Sequence, residues 1–197
     1  VYIFKTIKSR VIAIEPQNYC FRYLKNRYGD NLIIEKVALG EKEGEGEIFI
    51  SIAHTLSTMS TNWMENVRKK RFESYNWPNK EKIKITTLNN LIKKYGTPDF
   101  CKIDVEGYEY EVLKGLNQKI KYISFEYTIP ETMENTIKCI EKLNTLGVIE
   151  CNYSNGESFI FGLNNWISAR DMINKIENEI VQQNNTEGDI YIKFIDL

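Results

Sequence analysis

The chain has 197 residues, 42% of them hydrophobic and 27% charged, enough to bury one sizeable core and most economically a single domain over residues 1–197. A formal net charge of −1 gives no global attraction to nucleic acid or anionic membranes, and no apolar run approaches the ~18 residues of a membrane span. Cys20, Cys101, Cys139 and Cys151 lack C-x-x-C spacing and His54 is the only histidine, so no zinc cluster is readable; the thiols are expected reduced and buried, and the location cytoplasmic.

Val1 to Ile7 reads as the apolar side of a helix. Val11 to Ile14 is an apolar strand closed by Glu15-Pro16, followed by Tyr19, Tyr23 and Leu24 at helical spacing. Leu32 to Leu39 reads as the next strand, and Gly40, Gly44 and Gly46 predict a hairpin turn into Glu47 to Ile52. Lys82 to Thr86 alternates as a strand, Thr87 is placed to cap a helix over Leu88 to Tyr95, and Gly96 with Pro98 ends it. A strand through Cys101 to Ile103 then runs into Asp104 and Glu106, and Gly107 opens a helix containing Val112, Leu113 and Leu116. Lys121 to Glu126 is another strand, and Glu131 to Leu146 another helix closed by Gly147. Asn155-Gly156 predicts a hairpin between Val148 to Tyr153 and Ser158 to Leu163, and a helix from Ser168 to Gln183 leads into a strand over Asp189 to Ile195. The pattern is an α/β sheet, mostly parallel, ending in antiparallel strands.

Three of these strands end in acids: Glu15, the Asp104 and Glu106 pair, and Glu126. Ligands of open α/β sheets bind beyond the carboxyl ends of the parallel strands, so these carboxylates are the first site residues. An acid at the end of the second strand of a nucleoside-binding sheet accepts hydrogen bonds from ribose hydroxyls, about 20 residues after a glycine-rich turn. Counting back that far from Glu15 passes Val1, so the first strand and its glycine-rich loop are expected upstream of this chain. A purely structural reading competes: Asp104 as a helix cap, Glu106 and Glu109 as acids favoured at a helix N-terminus.

Val11-Ile12-Ala13-Ile14-Glu15-Pro16, Val37-Ala38-Leu39-Gly40, Ser57-Thr58, Thr86-Thr87-Leu88-Asn89 and Lys102-Ile103-Asp104-Val105-Glu106-Gly107 with Glu109 and Leu113-Lys114-Gly115 occur in an order that resembles the FkbM-type methyltransferases. The resemblance covers residues 3 to 130. It implies a three-layer class I (Rossmann-like) methyltransferase sheet and S-adenosylmethionine-dependent O-methylation of a hydroxyl on a saccharide or small-molecule natural product. It also implies a cofactor site at Glu15, Pro16, Val37, Ala38 and Asp104, with Asp104 and Glu106 beside the methyl group. One departure is Asn89, where the family usually has Asp.

For a hydroxyl acceptor the enzyme aligns the reactants and supplies a base, and Asp104, Glu106 and Glu126 are the carboxylates placed to do so. No metal ligand set is assigned; Mg²⁺ at the converging acids is the lesser alternative, with a weak sequence signature. Ser57, Thr58 and His54 are acceptor-side candidates. Arg68 to Arg71 among Trp63, Phe72, Tyr75 and Trp77 reads as a solvated helix face with packed aromatics, or as a lid over the acceptor, ahead of a nucleic-acid platform. A non-catalytic module and, further behind, a nicotinamide-dependent oxidoreductase are the alternative functions; no residue pattern fixes the acceptor or the oligomeric state.

Overall fold

A computed structural model describes residues 9–69, 71–156, 158, 160–183 and 186–196. The helix expected over Val1 to Ile7 lies outside the described residues. Strand β1 (Ile12–Ile14) leads into helix α1 (Asn18–Tyr28), and β2 (Ile33–Glu35) returns parallel to β1 with Ile12 opposite Ile33. The single strand expected over Leu32 to Leu39 is two, because the chain changes partner at Lys36-Val37: β2 pairs with β1, whereas β3 (Ala38–Leu39) pairs in parallel with β5 (Asn79–Thr86).

The hairpin predicted at Gly40 to Gly46 does not form either. Strand β4 (Gly44–Ile50) lies antiparallel to β5, with Gly44 opposite Ile85 and Ile50 opposite Asn79. β5 is thus the centre of a three-stranded sheet whose core holds Ala38, Ile48, Ile50 and Ile83. A seven-residue strand buries more side chain against β5 than against the two residues of β3, and long-range pairing wins over the local turn. Between β4 and β5 lies helix α2 (Thr61–Val67), capped by the Ser60 hydroxyl, which accepts from the Trp63 amide.

Helix α3 (Leu88–Tyr95) begins as its sequence predicts, with the Thr87 hydroxyl accepting from the Asn90 amide at 3.1 Å, and ends at Gly96. Beyond it, β6 (Phe100–Ile103), helix α4 (Glu109–Lys114), β7 (Tyr122–Ile129), helix α5 (Met133–Asn144), β8 (Ile149–Asn155), β9 (Ile167–Ser168), helix α6 (Ala169–Lys175) and β10 (Thr186–Phe194) build a five-stranded sheet in the order β6-β7-β10-β8-β9. β6 and β7 are parallel and β10 is antiparallel to both β7 and β8, as the antiparallel ending predicted. The expectation of a mostly parallel sheet is not met, because among the described residues β4–β5, β7–β10, β8–β10 and β8–β9 are antiparallel and only β1–β2, β3–β5 and β6–β7 are parallel. Among the described residues Asn155-Gly156 does not close a two-strand hairpin: β9 meets β8 only at Glu150 and Cys151, the Gly162 amide donates to the Tyr153 carbonyl at 2.7 Å, and the Gly156 amide donates across to the Glu187 carbonyl of β10 at 2.7 Å. The helix expected over Ser168 to Gln183 starts on its Ser168 cap but changes to a π-helical turn at Ile176–Ile180.

One face of this sheet carries the main core. Ile123, Phe125 and Tyr127 of β7 and Ile190, Ile192 and Phe194 of β10 pack on Val112 and Leu113 of α4, Ile140 and Leu143 of α5 and Met172 of α6. Each such buried side chain contributes roughly 1.5–3 kcal/mol. Of the cysteines, all free, Cys139 and Cys151 are buried as expected, while Cys20 and Cys101 are half-buried. Among the described residues no hydrogen-bonded strand joins the β1–β2 pair to the five-stranded sheet, so the edge of β6 is open.

Candidate active site

Where β6 ends, the chain makes a tight turn through Asp104, Val105, Glu106 and Gly107. Glu106 adopts φ +53°, a left-handed conformation rare for a residue with a side chain, and Gly107 follows at φ +83°. A Cβ at position 107 would come within 2.5 Å of Trp63, so only glycine admits the indole here. The Thr58 hydroxyl donates to the Glu106 carbonyl at 2.7 Å, and the Glu109 carboxylate accepts from the amides of Val105 (3.1 Å) and Gly107 (3.2 Å). Asp104 is not a helix cap: α4 starts after Tyr108, with no side-chain cap.

The parallel pairing of β6 with β7 sets Ile103 opposite Phe125, which brings Glu126 level with Asp104. Carboxylate oxygens of Asp104, Glu106 and Glu126 all lie within 4.8 Å of one another. Asp104 is exposed, Glu126 half-buried and Glu106 buried. Burial foremost, then the charges of Asp104 and Glu109, pushes the Glu106 carboxyl far above its ordinary range; Glu126 rises for the same first reason, reinforced by Glu106 and Asp104. Like charges this close in a desolvated site share a proton, so the pair is a stronger base than a solvated carboxylate. Lys102 is the cation that opposes this. Burial disfavours its ammonium, but Asp104 at 3.2 Å and Asp189 at 2.5 Å outweigh that effect and keep it charged.

The segment before β5 packs onto this turn. Trp63, Leu56 and Val67 form a small core with Phe72 and Trp77. Of the aromatics around the basic run, Trp63 is buried and Phe72 and Trp77 are half-buried against it, while Tyr75 is exposed. The solvated-face reading fails for Arg71: its side chain is 9% exposed and donates to Glu131, Glu187 and the Ile129 carbonyl. That clamp fastens the segment to the end of β7 at Ile129.

Glu15 stands at the end of β1 in a separate cluster. One carboxylate oxygen accepts from the Gln17 amide at 2.8 Å, and the other has no partner among the described residues. Its pKa is raised, chiefly by burial and against the Gln17 hydrogen bond. Pro16 lies in the turn into α1; Gln17 donates to the His54 carbonyl at 3.1 Å, and Tyr19 stacks on the His54 ring at 4.5 Å. Val37 lines a surface cleft with Lys84, Thr86, Asn90 and Lys94, and Ala38 is packed in the core of the three-stranded sheet. The hydroxyls of Ser57 and Thr58 are already engaged: Ser57 accepts from the Ser51 amide, and Thr58 accepts from the Ser60 amide besides holding Glu106. Asn89 accepts from the Asn117 amide at 3.1 Å, a bond that the Asp it replaces would make equally well.

Sequence reading thus found the three converging acids but missed what holds the turn that carries two of them, namely Glu109 and Lys102, and the Arg71 clamp nearby. Glu109 sits three positions beyond Glu106, inside the motif; the Arg71 contact with β7 and β10 had no local signal. The triad has the donor chemistry for a divalent cation, and carboxylates with their own waters would be its ligands. At β1, the unpartnered Glu15 oxygen and the buried, unpartnered carbonyl oxygen of the Gln17 side chain are free acceptors that suit the hydroxyls of a ribose.

No curated protein and no solved structure matches the chain. A model of the methyltransferase FkbM domain matches residues 1–165. With that match spanning most of its length and the acids of the motif gathered at the strand ends, the chain belongs to the FkbM methyltransferase family.

Proposed function

We propose that this chain is an S-adenosylmethionine-dependent O-methyltransferase acting on a hydroxyl of a saccharide or small-molecule natural product. The observation that supports it is the convergence of Asp104, Glu106 and Glu126 within 4.8 Å, where the turn after β6 meets the middle of β7. Membership of a methyltransferase family favours methyl over hydride transfer.

When bound, the cofactor supplies a methyl group on a positively charged sulfur that leaves as a neutral thioether. The chain's residues do the rest. Glu15 accepts hydrogen bonds from the ribose, and Pro16, Val37, Ala38 and Asp104 complete the cofactor side. The Glu106 and Glu126 pair would take the proton of the acceptor hydroxyl at a carboxylate oxygen while the hydroxyl oxygen forms its bond to the methyl carbon and the carbon–sulfur bond breaks, and Lys102 holds Asp104 in place. Trp63 and the Arg71 clamp wall the acceptor side.

We further read the fold as one three-layer class I sheet and one domain, in which β1–β2 and the five-stranded sheet belong to a single layer. Free thiols at all four cysteines suit a reducing, cytoplasmic setting, and no helix of the described residues is long and apolar enough to cross a membrane. Methyl transfer from labelled S-adenosylmethionine to a panel of hydroxylated saccharides and phenols tests the reading. Label should enter an acceptor in the wild type, and Glu126→Gln should slow it by about 10²-fold or more. Undiminished transfer in both Glu126→Gln and Glu106→Gln would remove the carboxylate base from the mechanism.

A further inference from the structure

Glu109 is a buried carboxylate, 3% exposed, with no ion-pair partner among the described residues. Removing such a group from water costs several kcal/mol unless hydrogen bonds replace the solvent. Acids are favoured at helix N-termini, which accounts for an acid at this position but not for where its bonds go. Its oxygen reaches back past the start of α4 and accepts from the amides of Val105 and Gly107, the two residues that flank Glu106.

Glu106 carries the strain of the turn at φ +53°, a conformation that costs of order 1–3 kcal/mol and persists only where surroundings impose it. The impositions are all visible. Glu109 ties the amides on both sides, Thr58 holds the Glu106 carbonyl at 2.7 Å, and Trp63 occupies the space beside Gly107. With its backbone fixed from three directions, Glu106 keeps only its side chain free, and that carboxylate lies among those of Asp104 and Glu126.

We propose that Glu109 is a positioning residue: by gathering the Val105 and Gly107 amides on one carboxylate oxygen it holds Glu106 in its left-handed conformation and so aims the Glu106 carboxylate into the site. The inference rests on the site reading above. The charged or titratable groups around Glu109 are Asp104 and Glu106 in the turn after β6, Glu126 within β7 and Cys139 on α5. Burial pushes Glu109 up to about 7, while its own amide and those of Val105 and Gly107 pull it down, so near neutrality it remains able to accept both bonds.

The test is nuclear magnetic resonance on the wild type, Glu109→Gln and Glu109→Leu, read together with labelled methyl transfer. In Glu109→Leu, amide exchange at Val105 and Gly107 should rise on the order of tenfold relative to the amides of β7, the worth of about one hydrogen bond. The Cα and Cβ shifts of Glu106 should move away from left-handed values. Glu109→Gln keeps an acceptor oxygen and should stay within about threefold of the wild type. Transfer should fall in kcat with KM for S-adenosylmethionine unchanged in Glu109→Leu, and recover in Glu109→Gln. If Glu109→Leu does not fold, Glu109→Gln decides alone, through selective upfield movement of the Val105 and Gly107 amides. Unchanged exchange and shifts at residues 105 to 107 in folded Glu109→Leu, or Val105 and Gly107 amide shifts unmoved in Glu109→Gln, would overturn the proposal. A wild type that transfers no methyl to any acceptor would count against the proposed function only, because the resonance readouts need no substrate.

Discussion

Two strand–helix–strand units of the same design carry the two halves of the proposed site, and they are built to opposite standards. In β1–α1–β2 not one of the eleven residues of α1 is buried, and Tyr19 and Tyr23 are 62% and 54% exposed. In β6–α4–β7, Val112, Leu113, Ile123 and Phe125 are all 0% exposed. The acceptor side is therefore held by a packed core, whereas the ribose side rests on a few polar contacts around Glu15 and Gln17. Local stability follows buried apolar contact, so the first unit should open at far lower free energy than the second.

The largest effect should come from the packed unit. Leu113→Ala should lower the stability of the protein by about 2–5 kcal/mol, while Tyr23→Ala should stay within about 0.5 kcal/mol, both by chemical denaturation. Equal losses would erase the contrast.

Next is the pH dependence. Glu106, Glu126 and Glu109 all bind protons more tightly in the folded state, since burial raises each of them. An acid raised in this way stabilises the fold least when ionised, so stability falls as pH rises above the ordinary value of 4.5, for Glu109 through about 7. Glu126→Gln should flatten that fall, adding about 1–2 kcal/mol at pH 8 and little at pH 4. A wild-type stability that climbs from pH 5 to 8 would contradict the electrostatics of the triad. Smaller again, Thr58→Val should cost about 1–2 kcal/mol by releasing the Glu106 carbonyl, with Val105 and Gly107 exchanging faster.

The contrast also explains what the sequence made legible. Elements whose identity is local were read correctly: the α3 cap at Thr87, the strand into Asp104, the antiparallel ending. Glu15 and Asp104 were readable because each follows an apolar run that ends as a strand there, whereas Glu126, expected to close its strand, lies inside β7, which runs on to Ile129. Misreadings fell where pairing was decided at long range. Asn155-Gly156 has the turn chemistry of a hairpin, yet the Gly156 amide bonds across to Glu187 of the distant strand β10. The run from Leu32 to Leu39 has unbroken strand character, yet it serves two sheets. The Glu109 hydrogen bonds were hidden because an acid in the first turn of a helix has an ordinary explanation, and only the geometry shows that its bonds run to the preceding turn. Arg71 looked like one of a basic run, and nothing in its neighbours signals that Glu131 and Glu187 wait for it.

The most direct test of the account joins its two halves: calorimetric titration of S-adenosylmethionine into the full encoded chain, its Glu15→Ala variant and its Glu126→Gln variant. The account predicts one cofactor per chain, at least about tenfold weaker binding in Glu15→Ala, where a charged acceptor of the ribose is lost, and near wild-type binding in Glu126→Gln, which serves the acceptor side. No binding by the full chain, or binding untouched by Glu15→Ala, would contradict it.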